Sequence, residues 1–283
     1  MKTKDSGEIF IFGIALRPRR RARNWERILD NLQETLRSIL NQLDRNFEVF
    51  IATEDEIDLP EIANPKIKLL NVRPPATLLG TETNYASSHQ DIYFRRKAIT
   101  EAAKSSGGRY LMHVDADDLI SNRLVSKVRR MPDAAGYAIV TGWVMDFRTR
   151  NVHPCPHKNL YDYNDGFYDN GFDTICGSTL IFSLKDNGFE PKPWPLAAIV
   201  LGHHIVRKTL AQSHNPILAI DDPLVIYVLN TGENNSNVHP DAPWKKFSFD
   251  TGAAAARFGR QMTAELRAEF GQPFSAEPKS GQE

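Results

Sequence analysis

The constraint that bears hardest on the fold is a strand–helix–strand pattern near the start of the chain. Residues 9–16 form a short, nearly continuous apolar run ending in Arg17-Pro18. Such a run, without alternation, suits a strand buried on both faces of a parallel sheet. Behind it, Trp25, Ile28, Leu29, Leu32, Leu36, Ile39, Leu40 and Leu43 fall three or four apart and make one apolar helical stripe, with Asn24 as a candidate N-cap. Residues 47–52 read as a second buried strand, closing into Thr53-Glu54-Asp55-Glu56. This order predicts a right-handed parallel crossover.

The pattern continues downstream. Residues 67–72 read as a third strand, stopped by Pro74-Pro75. Residues 92–104 carry a weaker helical period, and 110–114 make a strand running into Asp115-Ala116-Asp117-Asp118. A helix is expected over 119–130. The second half is less regular, with strands expected over 137–144, 178–184, 217–220 and 224–229 and an apolar helix over 196–212. Residues 151–173 form a long segment rich in His, Pro, Asn, Asp and Tyr, and loops of that length are usually functional or disordered. An Ala-rich helix follows residue 250, and the polar tail from 272 is expected to fray.

Composition removes several function classes. Lys and Arg (35) balance Asp and Glu (35), which argues against a protein living by non-specific phosphate binding, so no nucleic-acid partner is expected. Cys155 and Cys176 are the two cysteines, too few for a disulfide scaffold or a paired-cysteine zinc site. The eight histidines include no His-x-x-x-His pair with an acidic partner, so a metallohydrolase reading fails. No apolar run approaches 18 residues and no signal-peptide cleavage site is present. A cytoplasmic protein is expected.

The acidic turn at 115–118 carries the chemistry. Three carboxylates in four positions repel and raise one another's pKa. A hard divalent cation relieves that repulsion, and Mg²⁺ or Mn²⁺ is commonly held by a few carboxylates together with substrate phosphates. The carboxyl end of a strand is where open α/β sheets bind ligands. The plain alternative is an exposed strand-to-helix turn with one Asp as an N-cap.

Two segments together resemble the GT-A-fold glycosyltransferases of family 2. One is Thr35-Leu36-Arg37-Ser38-Ile39-Leu40-Asn41-Gln42 with Asn46-Phe47-Glu48-Val49-Phe50-Ile51, similar to the family's first helix and second strand. The other runs from Arg95-Arg96-Lys97-Ala98 through Gly108-Arg109-Tyr110-Leu111-Met112-His113-Val114 to Asp115-Ala116-Asp117-Asp118. They stand in the family's order at about its spacing. The resemblance covers residues 9–130 well and 175–240 weakly.

It implies an α/β fold of GT-A type: a mostly parallel central sheet with helices on both faces, in a single elaborated domain. Residues 1–130 would be the nucleotide-sugar-binding half, 131–250 the acceptor-binding half, and 251–283 a C-terminal helix and flexible tail. The implied activity is transfer of a sugar, with inversion, from a nucleoside-diphosphate sugar to an acceptor hydroxyl on a glycan or lipid-linked glycan. Asp115 would contact the nucleotide sugar and share the metal with Asp117, and Asp118 would support them. Glu54 stands where a carboxylate usually holds the base or ribose, with Asp55 beside it. Arg17, Arg19, Arg20, Arg21 and Arg23 replace the family's Pro-rich turn and are candidates for the anionic donor or for peripheral contact with an anionic membrane. Arg17, closest to the sheet edge, is the preferred donor contact, and Arg95, Arg96 and Lys97 are further candidates.

The catalytic base is where the chain departs from the family. The Glu-Asp pair expected at a helix start is replaced by His203-His204. A neutral imidazole can take a hydroxyl proton near neutral pH, or it can ligate a metal. Asp173 and Asp146 are reserve bases, with His239 and Asn230 behind them. Two other readings stay open: a sugar-phosphate nucleotidyltransferase, against which the absence of Gly and Lys from residues 17–23 counts, and a degenerate fold serving as a binding or scaffold protein.

Overall fold

The computed structural model describes residues 8–75, 85–155, 171–184, 217–234 and 245–272. Expectations for 196–212, His203, His204 and His239 fall outside them.

The first half folds as its pattern requires. Strand β1 (Ile9–Ala15) leads to helix α1 (Trp25–Leu40) and back to β2 (Phe47–Thr53), which pairs parallel to β1. Asn24 caps α1, its side chain accepting from Arg27 N at 3.0 Å. Ile28, Leu29, Leu32, Leu36 and Ile39 are buried, while Leu43 lies past the helix end and is exposed. Strand β3 (Ile67–Asn71) joins β2, helix α2 (Tyr85–Ser105) crosses over, and β4 (Gly108–Val114) lies against the other edge of β1. Phe10, Phe12, Ile14, Tyr110 and Met112 pack under α1, while Ile11, Phe50 and Leu111 pack under Ile99 and Ala103 of α2. Both faces of the strands are therefore covered by helix, which is why they read as continuous apolar runs.

After β4 the chain changes sheets. Leu119 and Ile120 form the short strand β5, antiparallel to a later strand, and only then does helix α3 (Leu124–Arg130) begin. The helix expected over 119–130 is thus a two-residue strand, a turn and a short helix. The apolar run at 137–144 is likewise two strands, β6 (Gly136–Ile139) and β7 (Gly142–Asp146), which lie in different sheets. An apolar run records burial but not the sheet in which a strand is buried. The hairpin strand β8 (Asn151–Cys155), the helical turn α4 (Phe172–Ile175) and β9 (Leu180–Ser183) follow. The start and end of the long polar segment at 151–173 are therefore ordered secondary structure. Strands β10 (Ile217–Ile220) and β11 (Val225–Leu229), helix α5 (Lys245–Phe258), strand β12 (Arg260–Gln261) and helix α6 (Ala264–Glu269) complete the described chain.

The larger sheet has the order β10-β6-β9-β4-β1-β2-β3, parallel except for β9, and the smaller one β12-β8-β7-β11-β5. Strands from both halves of the chain share the larger sheet, so the architecture is the mostly parallel α/β sheet expected. Successive strands run outward from β1 through β2 to β3, while β4 lies on the other side. The crevice between the carboxyl ends of β1 and β4 is the switch point at which such sheets bind ligands.

Helix α1 braces the segment just beyond that crevice. Ser38 Oγ accepts from Ile120 N at 3.0 Å. Gln42 donates to Ser121 O at 2.6 Å and accepts from Val125 N at 3.0 Å. Ser38 lies in the last turn of α1, and Gln42 lies two residues past its end. Gln42→Leu would take the acceptor from the buried Val125 N–H and one of two donors from Ser121 O, which keeps Leu124 N, at a cost of about 1–3 kcal/mol. A lowered urea midpoint with an unchanged slope is the expected result.

Candidate active site

The acidic turn sits where the chain crosses from the larger sheet to the smaller one. Its three carboxylates are held by different means. Asp118 is fully buried and accepts from Ser178 Oγ at 2.6 Å and Val228 N at 3.1 Å, with Cys176 Sγ at 3.5 Å. Burial and the neighbouring charges of Asp117 and Asp115 push its pKa well up. Ser178 Oγ also accepts from Asp115 N at 2.8 Å, so one hydroxyl ties two residues of the turn. The Asp115 side chain is 43% exposed and pairs with Arg96 at 2.9 Å.

Asp117 stands between these extremes. Its Oδ2 accepts from Asn234 Nδ2 at 2.8 Å. Burial and then the charge of Asp115 push its pKa up to about 7, against the pull of Arg17. A carboxylate so placed carries negative charge that the protein has not fully compensated.

Arg17 follows β1 across the crevice. It is largely buried, which lowers its pKa, while the charges of Glu233 and Asp117 favour its cation. Its Nη1 meets Glu233 Oε2 at 3.2 Å. Glu233 and Asn234 come from the loop after β11 and were not candidates from sequence. Their signal was present in Asn230-Thr231-Gly232-Glu233-Asn234-Asn235, a polar turn sequence directly after a buried strand.

The remaining candidates divide sharply. Glu54 has a 5% exposed side chain and meets Arg20 at 2.7 Å, Arg73 at 3.5 Å and Arg95 at 3.7 Å. Asp55 accepts from Arg19 N at 2.9 Å. Arg95, expected to reach the donor, is 1% exposed; it bonds Asp91 through Nε at 3.1 Å and Nη2 at 3.3 Å, and Val72 O through Nη1 at 2.9 Å. That buries Arg95 inside the protein as a brace between Asp91 and Val72 O. Arg96, one residue on, points to the turn instead. Asp173, a candidate base, is fully buried on α4. Asp146 accepts from Thr149 and Asn230, which builds the turn between β7 and β8.

A divalent cation fits the chemistry of this donor set. Asp115 and Asp117 supply hard carboxylate oxygens, and the raised pKa of Asp117 marks negative charge that a cation would offset. Among the described residues no group of three or more His, Cys, Asp or Glu is arranged to hold a metal ion by itself. None of the described helices is long and apolar enough to cross a membrane.

No family model matches the chain, and no curated protein matches it. Solved structures similar to it include residues 1–349 of TarS from S. aureus, at 15% identity and TM-score 0.43 over 82% of this chain and 63% of that one. The glycosyltransferase GlyE of Streptococcus pneumoniae is 8% identical at TM-score 0.38, over 88% of this chain and 60% of that one. The galactosyltransferase LgtC, crystallised with donor and acceptor sugar analogues, is 11% identical at TM-score 0.39, over 92% and 99%. The chain thus spans less than two thirds of the first two.

Two predictions follow from the geometry. The Asp117 anion is disfavoured, so its destabilising effect is present above about pH 7 and fades as the carboxyl protonates below it. In EDTA, Asp117→Asn should melt at or above the parent at pH 8, and the difference should shrink by pH 5.5. A variant that melts well below the parent at pH 8 would contradict this. At Gly177, an added Cβ would lie 2.6 Å from Asp115 Oδ2. The carboxylate tip can swing away, so Gly177→Ala should cost about 1 kcal/mol or less. It should nonetheless weaken Mn²⁺ binding measured by calorimetry.

Proposed function

We infer that the chain is a metal-dependent glycosyltransferase acting on a nucleoside-diphosphate sugar, within the GT-A class that its sequence resembles. The observation that carries the reading is Asp117: a carboxylate with pKa near 7, at a sheet switch point, between the exposed Asp115 and the buried cation of Arg17. That combination suits a diphosphate bridged to a divalent ion. Two adjacent carboxylates alone would repel a phosphate, and an arginine alone would not need them.

Asp117 and Asp115 would hold Mn²⁺ or Mg²⁺, which when bound stabilises the charge developing on the diphosphate leaving group. Arg17 would meet the same charge from the β1 side. Arg96 would keep Asp115 oriented. Ser178 and Val228 N hold Asp118, so the turn keeps its shape as ligands enter and leave. Preset donors and charges lower the barrier because they need not reorganise during reaction. Transfer, with inversion, to a hydroxyl of a glycan or lipid-linked glycan belongs to the same reading, with His203, His204 or Asp173 as the proton acceptor.

The test is calorimetry against a panel of nucleoside diphosphates, with and without Mn²⁺, on the parent and Asp117→Ala. One diphosphate should bind at least about tenfold more tightly with Mn²⁺. The gain should vanish in the variant. An absence of nucleotide binding in either metal state would sink the reading. Metal-dependent binding with no turnover of the matching sugar donors would favour the scaffold alternative.

A further inference from the structure

Two adjacent side chains on the loop after β11 reach opposite walls of the crevice. Glu233 is 7% exposed, and its carboxylate accepts from Asn24 N at 2.7 Å, Arg23 N at 3.4 Å and Arg17 Nη1 at 3.2 Å. Asn234 is 8% exposed. Its Nδ2 donates to Asp117 Oδ2 at 2.8 Å and Val228 O at 3.0 Å, and its Oδ1 accepts from Thr231 N and Thr231 Oγ1, both at 2.9 Å. Asn230 at φ 64° and Gly232 at φ 85° give the loop the tight path that aims consecutive residues at different partners. Every described polar atom of both side chains is thus engaged, and together they join the entry of α1 to the acidic turn.

We propose that Glu233 and Asn234 are positioning residues of the donor site, acting through Arg17 and Asp117 to hold the cation that meets the diphosphate apart from the carboxylate that meets its metal ion. The proposal rests on the transferase reading above. The physical reason is competition between charges. Arg17 is long and largely desolvated, and the charges that favour its cation are Glu233 first and Asp117 next. Without the Glu233 charge, the guanidinium would turn to Asp117 and neutralise the oxygen a metal needs. Asn234 works on the other partner. By holding Oδ2 it fixes the rotation of the carboxylate, so that Asp117 does not swing toward Arg17. A neutral amide can do this without adding a third negative charge to the turn.

The experiment uses the full chain, with Mn²⁺ alone followed by electron paramagnetic resonance of the free ion, and inorganic pyrophosphate followed by calorimetry with and without Mn²⁺. Glu233→Gln keeps an oxygen for Asn24 N but loses the charge. It should melt below the parent, because the oxygen that accepts from Arg17 and Arg23 N becomes an amide donor, while its affinity for Mn²⁺ falls about tenfold and Mn²⁺ tightens pyrophosphate less than in the parent. Asn234→Ala should weaken Mn²⁺ in the same sense. The decisive variant is Glu233→Gln combined with Arg17→Met, which removes the competing cation and should restore Mn²⁺ affinity toward the parent. A purely structural role for Glu233 would not produce that rescue.

Single variants that bind Mn²⁺ within about twofold of the parent, or a double variant with no recovery, would overturn the proposal. A parent that binds neither probe would overturn the transferase reading and the proposal together. Should Asn234→Ala fail to fold, Asn234→Ser, which keeps a short polar group for Thr231, carries the same expectation.

Discussion

Three carboxylates crowded at the end of β4 are the interaction around which the rest of this molecule is arranged. Left alone they would repel, and each is partly or wholly withdrawn from water. The protein answers with unequal compensation. Asp118, the deepest, receives a hydroxyl and a backbone N–H. Asp117 receives an amide, and Asp115 a guanidinium at the surface. Compensation is incomplete at both of the inner carboxylates, whose pKa values burial and the neighbouring charges push up. A cluster built only for stability would close all three. The residual charge at Asp117 is what a bound cation would use.

The neighbouring structure makes this arrangement tolerable. The turn lies between β4 in one sheet and β5 in the other, so both of its ends are pinned by strand pairing. Ser38 of α1 and Gln42, just past its end, satisfy the backbone groups of the next residues. Ser178 and Asn234 arrive from segments 60 to 117 residues away and bind the carboxylates themselves. The site is therefore assembled from long-range contacts on a rigid frame, which suits preorganised electrostatics.

That division also explains what was legible in the sequence. Strands β1 to β4 and helix α1 were readable because burial on both faces leaves continuous apolar runs and a one-sided helix leaves a stripe. The acidic turn stood out because like charges in a tight turn need a reason. The motif residues Ser38 and Gln42 were visible as a resemblance, but their work, bonding backbone across a helix–turn interface, is not a sequence pattern. The changes of sheet at Leu119 and at Val140-Thr141 were hidden, because a buried residue reads the same in either sheet. Glu233 and Asn234 were hidden for another reason. Polar residues after a strand usually belong to solvated turns, and only the tertiary fold turns these two inward.

The second acidic segment shows how far a resemblance carries residue by residue. Glu54 follows β2 where a carboxylate is expected to meet the base or ribose. Here four guanidiniums, from Arg20, Arg21, Arg73 and Arg95, gather around Glu54 and Asp91. The two residues after Glu54 are acidic as well: Asp55 accepts from Arg19 N, and Glu56 is exposed. The Glu54 side chain itself is 5% exposed among its arginines, of which Arg73 lies at the surface, 82% exposed. The resemblance therefore places the carboxylate, while the arginines around it, which the resemblance does not include, decide what it can still bind.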